Sequence, residues 1–151
     1  MSDHRSDQYI LFVVAGTTYA LPSHAVAHVE MVEQVTRVPN AAPFVDGVVF
    51  SRGQVVPAVN MRARFGFERV AADLRTRLLV VQVQGRSVGL LVDACREFLS
   101  IPPASINPPG DALAGAGAQS LSGIATIGDR LIVILNLEAL LDATDPIAAA
   151  S

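Results

Sequence analysis

Lysine and tryptophan are absent from this 151-residue sequence, and Cys95 is its one cysteine. A lone cysteine excludes an internal disulfide and a cysteine-based metal site. Charged residues make up 17% of the chain, below the ~25% of an average protein, and the 11 basic residues are arginines scattered along it. Because nucleic acids and anionic membranes bind concentrated positive charge, the sequence predicts neither as a partner.

Long apolar runs are missing as well. No run approaches the roughly 20 residues that cross a membrane as a helix. The polar start, MSDHRSDQ, lacks the apolar core of a signal peptide. We therefore expect a cytoplasmic protein with no direct membrane insertion. The 51% apolar content fits two interpretations equally, a dense core or a surface that is covered by partner proteins.

Motifs for catalysis and metal binding are few. His24 and His28 are four residues apart within a predicted short helix at 24–29, a spacing that can hold zinc. No third ligand accompanies them, so exposed helix histidines are the better interpretation. The glycine-rich segment 110–117 lacks the lysine of a phosphate-binding loop, and no nucleophile elbow occurs. The sequence thus predicts no enzyme, no metal site and no cofactor.

The most structured segment of the sequence spans residues 43–67. Two apolar runs flank the pair Arg52-Gly53, and glycine supplies the positive φ that a tight turn requires, so this segment predicts a β-hairpin. Asn60 follows the second run and predicts the N-cap of a short helix. Arg52 would lie at the hairpin tip, where its guanidinium can reach a partner's carboxylate. From the residues alone, a solvated turn arginine remains the favoured alternative.

The same pattern occurs twice in the chain. Residues 47–61 align with 123–137 without a gap, glycine on glycine and asparagine on asparagine. Residues 11–21 align in the same way with 80–90. Because both matches keep the same order along the chain, they indicate two structurally similar halves that share a core.

Short strands with closely spaced turns predict an all-β fold, and the repeat favours two small barrels over one large sandwich. The approximate halves are 9–75 and 76–141, joined near 68–75, with flexible tails at 1–8 and 143–151. Outside the two repeated hairpins, strands are predicted at 9–14, 18–21, 29–38, 78–83, 88–92 and 95–101, and a long loop at 102–122.

Five short motifs, in this order and spacing, resemble CheW-like coupling domains over about residues 9–141. They are Gly16 to Pro22, the run from Val35, Arg52-Gly53, Val55 to Val59, and Val88 to Asp93. The resemblance implies two intertwined five-stranded SH3-like barrels with short helices. It also implies a non-catalytic adaptor that couples a CheA-type histidine kinase to the cytoplasmic tips of methyl-accepting receptors, within receptor arrays.

The resemblance assigns candidate binding residues and favours a functional Arg52 over a solvated one. Arg52 would contact a receptor helix, in a groove formed with residues of the predicted helix at 24–29. Kinase docking would use a separate surface on the first barrel. The receptor-binding candidates are Arg52, Val26, Val29 and His28, and the kinase-binding candidates are Thr36, Val38 and Gln54.

Four residues depart from the family pattern. Phe50-Ser51 replace the usual Asn-Leu, Asn60 replaces a common aspartate, and His28 replaces a frequent glutamate. These changes leave open which receptor is bound and whether the pathway controls flagellar chemotaxis, pili or surface sensing. The oligomeric state is open too. The alternative function is a peptide- or small-ligand-binding β-barrel module outside a kinase pathway.

Overall fold

The computed structural model describes residues 8–32, 34–108 and 121–142, and most of these residues form β-strands. The predicted tail at 143–151, most of the tail at 1–8 and the glycine-rich segment 110–117 lie outside the described residues. In the described part, no helix is long and apolar enough to cross a membrane. The strands are β1 (Gln8–Val14), β2 (Thr17–Pro22), β3 (Val26–Met31), β4 (Val45–Ser51), β5 (Gln54–Asn60), β6 (Arg77–Val83), β7 (Arg86–Val92), β8 (Ala94–Ser100), β9 (Ile106–Asn107), β10 (Leu121–Ile127) and β11 (Arg130–Leu135). The α-helices are α1 (Met61–Arg64) and α2 (Leu137–Asp142), and 3-10 helices span Ser23–Ala25 and Pro103–Ser105.

The strands form two sheets, and each sheet combines strands from both halves of the sequence. The six-stranded sheet has the order β8-β1-β2-β11-β10-β9, and the five-stranded sheet has the order β3-β6-β7-β5-β4. The hairpin β1–β2 therefore completes the sheet of the second half, while β6–β7 completes that of the first. This exchange confirms the predicted all-β fold of two intertwined barrels, with the two-residue β9 as an added strand.

The repeated glycines lie where a further chain segment crosses the hairpin. A Cβ on Gly47 would be 2.1 Å from the carbonyl oxygen of Thr36, and one on Gly123 would be 2.8 Å from that of Asn107. Thr36 pairs with Val48, the neighbour of Gly47, and β9 pairs with β10 in the corresponding place. Glycine is needed at both positions because a side chain would collide with the crossing backbone.

The helix cap predicted at Asn60 is present, and Asn136, which aligns with it in the repeat, caps a helix in the second half. The side-chain oxygen of Asn60 accepts a hydrogen bond from the backbone N–H of Ala63 at 3.0 Å. Asn136 caps α2 in the same way through the N–H of Ala139 at 3.2 Å. Each cap satisfies a backbone donor that the first helical turn leaves unpaired.

The largest core cluster draws residues from both sheets, so the two barrels share one interior. The ring of Tyr19 stacks between Phe12 at 6.0 Å and Phe65 at 4.9 Å, between centroids. Burial raises the pKa of Tyr19, so the phenol stays neutral. Arg64 of α1 donates two hydrogen bonds to the carbonyl of Leu140 in α2, joining the helices that follow the two repeated hairpins.

The predicted helix at 24–29 is wrong. Ser23–Ala25 form a single 3-10 turn, and the next six residues form β3, which pairs with β6. Valines at this site gain more from pairing with a neighbouring valine-rich strand than from a short isolated helix, which is marginal in water. The histidines therefore do not share a helical face.

Three predicted boundaries also change. The strand expected at 29–38 ends at Met31, and beyond it only the isolated bridge of Thr36 continues the pairing in the described residues. Gln8, placed in the flexible tail, is the first residue of β1. Within the loop predicted at 102–122, residues 103–107 form a 3-10 turn and β9, and β10 begins at Leu121.

Candidate partner-binding site

A group of three polar side chains joins β3 to β4, the two edge strands of the five-stranded sheet. The Ser51 hydroxyl donates to Oε2 of Glu30 at 2.5 Å and lies 3.1 Å from Nε2 of His28. Nε2 of His28 is itself 2.6 Å from the same Glu30 oxygen. We call His28, Glu30 and Ser51 the polar seam, because they close the sheet into a barrel through side chains.

Ser51 depends on this seam because it is 4% exposed, and it is the buried polar side chain of the described core. A buried hydroxyl without a partner would cost about 1–3 kcal/mol. His28 and Glu30 supply its partners, and the seam therefore satisfies Ser51 in the place where backbone pairing is missing.

The backbone of β3 explains which side chains reach the seam. Residues two apart on a strand face the same side, so His28 and Glu30 both point towards β4. The register with β6 shifts between Val26 and His28, as at a β-bulge, which inserts one extra residue. Val26 and Val29, three residues apart, therefore both pack against the largest core cluster.

Arg52 follows Ser51 directly and lies in the turn between β4 and β5. Its φ is +50° and that of Gly53 is +82°, as in the type I′ turn that suits hairpins. Ala15 and Gln84 occupy the same position in two other turns, at φ +51°, so the turn does not itself require arginine. The Arg52 side chain is 69% exposed, and its Nε lies 3.8 Å from Oε2 of Glu30.

An open cleft of about 600 Å³ lies beside this arginine, and we call it the Arg52 cleft. Its apolar rim is unusually exposed, with Phe50 75% and Met31 59% accessible, and Val55, the cross-strand partner of Phe50, is 67% accessible. An exposed aromatic and an ion pair side by side suit the apolar face of an amphipathic helix that carries a carboxylate. The lining residues are Glu30, Met31, Val32, Gln34, Thr36, Val49, Phe50, Ser51, Arg52 and Leu78.

The structure brings two of the four receptor candidates together. His28 and Arg52 meet through Glu30, to which both are adjacent. Val26 and Val29 are partly buried against the core and do not line the Arg52 cleft.

The three kinase candidates are spread over different places. Thr36 lines the Arg52 cleft, and Val38 lines a second cleft of about 550 Å³ together with Asp46 and Arg69. Gln54 is the exposed first residue of β5 and lines neither cleft. Arg69 also lines the second cleft and donates hydrogen bonds to Asp46 at 2.9 Å and to the carbonyl of Pro43.

Sequence reasoning missed Glu30, the contact of Ser51 with it, and the exposed apolar rim. The two-residue spacing of His28 and Glu30 is typical of one strand face, and the helix prediction concealed it. Phe50 was noted only as a departure from a family pattern, although an exposed phenylalanine at a hairpin tip itself indicates a contact surface.

In the described structure, His24 and His28 lie in different surroundings. His24 is exposed at the 3-10 turn, and His28 is engaged in the polar seam. Among the residues that the structure describes, no three His, Cys, Asp or Glu side chains are grouped as metal ligands. Burial raises the pKa of the Cys95 thiol, which makes it a poor nucleophile.

Comparison with known proteins gives one consistent result. A family model described as the CheW-like domain matches residues 8–145. The chain is 27% identical to chemotaxis protein CheW of Klebsiella aerogenes over 138 residues, which cover 91% of this chain and 83% of that protein. It is 31% identical to chemotaxis protein CheW of Helicobacter pylori over 134 residues, covering 89% and 81% of the two chains. It is also 29% identical to protein FrzA of Myxococcus xanthus over 139 residues, covering 89% and 84%.

The fold agrees with the sequence comparison. The crystal structure of scaffolding protein TtCheW from Thermoanaerobacter tengcongensis matches with a TM-score of 0.83 at 27% identity, covering 92% of this chain and 94% of that one. The similarity therefore extends over nearly the whole chain.

Proposed function

The chain belongs to the CheW-like domain family, and from this premise we propose that it is a non-catalytic adaptor. It would couple a CheA-type histidine kinase to the cytoplasmic tips of methyl-accepting receptors and transmit the state of the receptor to the kinase. The names of its relatives support a place in chemosensory signalling, because they include chemotaxis proteins and a scaffolding protein. The protein would be cytoplasmic and would join receptor arrays through its partners.

The observation that carries the proposal is the Arg52 cleft. It combines an exposed apolar rim at Phe50 and Met31 with an arginine that is 69% exposed. A receptor helix would place its apolar face on the rim, and a carboxylate or carbonyl at its edge would accept hydrogen bonds from Arg52. The arginine would thereby fix the register of the helix.

A second surface would serve the kinase. Val38 lies in the second cleft, apart from Arg52, so a partner bound there would leave the Arg52 cleft open. Thr36 lines the Arg52 cleft, so the receptor helix and the kinase would both contact it. An adaptor requires two such separate surfaces, because both partners must bind at once.

Calorimetric titration tests the proposal directly. The full chain is titrated with a receptor-tip helical fragment, with the regulatory domain of the kinase, and with each in the presence of the other. We expect both to bind and to bind together. A chain that binds neither would refute the proposal, and one that binds only short peptides or small ligands unrelated to either would instead be a binding module outside a kinase pathway.

The same titration addresses the pathway. Receptor tips from flagellar chemotaxis, pilus control and surface-sensing systems are compared in parallel. The tip that binds most tightly identifies the receptor class for which Phe50, Ser51, Asn60 and His28 are adapted.

A further inference from the structure

We propose that His28 is a positioning residue for Arg52, which makes partner affinity at the Arg52 cleft depend on the protonation of His28. The inference rests on the proposed function for its partner, but its structural basis lies in the polar seam of the free protein. His28, Glu30, Ser51 and Arg52 meet at one carboxylate oxygen.

His28, Ser51 and Arg52 compete for hydrogen bonds to this oxygen of Glu30. Oε2 of Glu30 is 2.6 Å from His28 Nε2 and 2.5 Å from Ser51 Oγ. A carboxylate oxygen offers about two lone-pair sites, and these two donors occupy them. Arg52 Nε remains at 3.8 Å, beyond the range of about 2.7–3.2 Å of an N–H···O hydrogen bond. The seam therefore keeps Arg52 loosely held and exposed.

The proton that acidification would add to the His28 ring binds at Nδ1, the nitrogen that does not contact Glu30. Contact between Nε2 and an ionised carboxylate requires a hydrogen on Nε2, so the neutral ring carries its proton there. Acidification adds the second proton at Nδ1, which leaves the seam contacts in place and adds one positive charge. That charge balances Glu30 and repels Arg52, so the guanidinium is released towards the cleft. A partner carboxylate should then be bound more tightly.

The other charged groups around β3 lie outside the polar seam, so we assign the pH-dependent change at Arg52 to His28. On β6, Arg77 donates to backbone carbonyls at the start of the strand. On β4, Asp46 lies at the opposite end from Ser51 and is paired outside the seam. His24, on the preceding 3-10 turn, is exposed and is not part of the seam. Of these groups, only the two histidines are of a residue type that ordinarily changes charge near neutral pH, and of the two only His28 contacts Glu30.

The free protein provides the first test. Nitrogen-15 NMR follows the Nε signal of Arg52 and the ring nitrogens of His28 from pH 8 to pH 6. In the wild type we expect the Arg52 signal to move with the His28 titration, and in H28Q, whose amide can still donate to Glu30, we expect no such movement. H24Q is the matched control and should behave as the wild type. An Arg52 signal that ignores His28 in the wild type would overturn the inference.

Binding provides the second test. From pH 8 to pH 6 the wild type and H24Q should bind a carboxylate-bearing receptor-tip fragment about two- to fivefold more tightly, as expected for one partly exposed charge pair. H28Q should show no change with pH. E30Q frees Arg52 at both pH values and should bind tightly throughout, which serves as a second variant if H28Q loses stability in melting curves.

The outcomes separate the two proposals. If no variant binds the fragment, the proposed function fails, while the NMR experiment still decides the role of His28. If the wild type binds without pH dependence, or H28Q keeps the dependence, the role of His28 is refuted and the adaptor function stands.

Discussion

Arg62 and Asp93 form a two-pronged ion pair that fastens one half of the sequence to the other. Nη2 of Arg62 is 2.7 Å from Oδ2 of Asp93, and its Nε is 3.0 Å from Oδ1. The backbone N–H of Ala15 donates to the same carboxylate at 2.8 Å. Arg62 belongs to α1 and Asp93 follows β7, so the pair connects the repeated hairpin of the first half to a strand of the second. The carboxylate also fixes the β1–β2 turn.

We expect D93N to destabilise the fold, by an amount that depends on pH. Burial alone would raise the pKa of Asp93, but hydrogen bonds from Arg62 and Ala15 outweigh it and lower the pKa. A lowered folded-state pKa stabilises the protein above the unfolded value of about 4, and this stability is lost as the pH falls through the folded value. D93N should therefore lose about 1.5–3 kcal/mol at pH 7 and progressively less below about pH 4.

Urea denaturation at several pH values measures this difference. D129N, in the exposed β10–β11 turn, is the matched control and should change stability little at any pH. A D93N deficit that stays constant down to pH 3 would assign the loss to packing rather than to the charge.

Local features of this fold were accessible from the sequence, because each depends on a few neighbouring residues. The Arg52-Gly53 turn and the Asn60 and Asn136 caps follow from residue chemistry alone. The exchange of hairpins between halves was implied by the family resemblance alone, since the repeat shows that segments are alike and not which strand each one pairs with. Strand pairing across long sequence distances is decided by the whole core.

In the candidate site, too, some residues were predictable from a local pattern and others come together only in the complete fold. Arg52 was predicted to lie at a hairpin tip because the turn that carries it is determined by neighbouring residues. Glu30 and Ser51 are 21 residues apart and meet only when the barrel closes, so their contact is not visible in a local pattern. The strand geometry that aims His28 and Glu30 at β4 was missed because His28 was assigned to a helix that ends at Val29, which separated it from Glu30 in the strand predicted next.

G47A should be among the most damaging single-methyl changes in the chain. The added Cβ would be 2.1 Å from the Thr36 carbonyl oxygen, and φ at Gly47 is +148°, which side chains rarely adopt. Overpacking and backbone strain together should cost about 2–5 kcal/mol. Urea denaturation should order the variants G47A, then G123A, whose Cβ would lie 2.6 Å from Cγ2 of Ile106 and 2.8 Å from the Asn107 carbonyl oxygen, then G53A, which meets no atom within 4 Å and is strained only by its φ of +82°. A G53A loss as large as that of G47A would show that the crossing segment moves easily.

V38D should weaken kinase binding about tenfold and leave receptor binding unchanged. Val38 is 38% exposed and lines the second cleft, so a carboxylate there would lose its hydration when the kinase covers the cleft, while the Arg52 cleft stays intact. V70D, at a 56% exposed valine in the segment between α1 and β6, is the control for adding a charge elsewhere. Calorimetry with the regulatory domain of the kinase and with the receptor fragment measures both affinities. Equal kinase affinity in V38D and V70D would remove the second cleft from the docking surface.

R52A should leave the fold almost unchanged, within ~0.5 kcal/mol, because the side chain is 69% exposed and alanine can replace it without changing the turn. Ala15 already adopts the same φ in the β1–β2 turn. Q84A, at the matching position of the β6–β7 turn, controls for the backbone effect, since φ is +51° at Gln84 and +50° at Arg52. Melting curves of both variants should overlie that of the wild type. A large loss of stability in R52A alone would mean that Glu30 needs Arg52 to keep the barrel closed.

The effect of R52A on receptor affinity is the sharpest test of the Arg52 cleft. An arginine donates two hydrogen bonds in a fixed geometry to a carboxylate, and charge-assisted bonds contribute about 1.5–3 kcal/mol, so R52A should bind the receptor fragment at least tenfold more weakly. R52K keeps the charge without the planar fork and should recover only part of the affinity. Q84A should bind like the wild type, and kinase affinity should be unchanged in all three variants. The titrations are made at one pH and one salt concentration, because exposed charges are screened by salt. If R52A binds the receptor fragment as tightly as Q84A does, Arg52 is a solvated turn residue and the apolar rim at Phe50 and Met31 holds the helix without it.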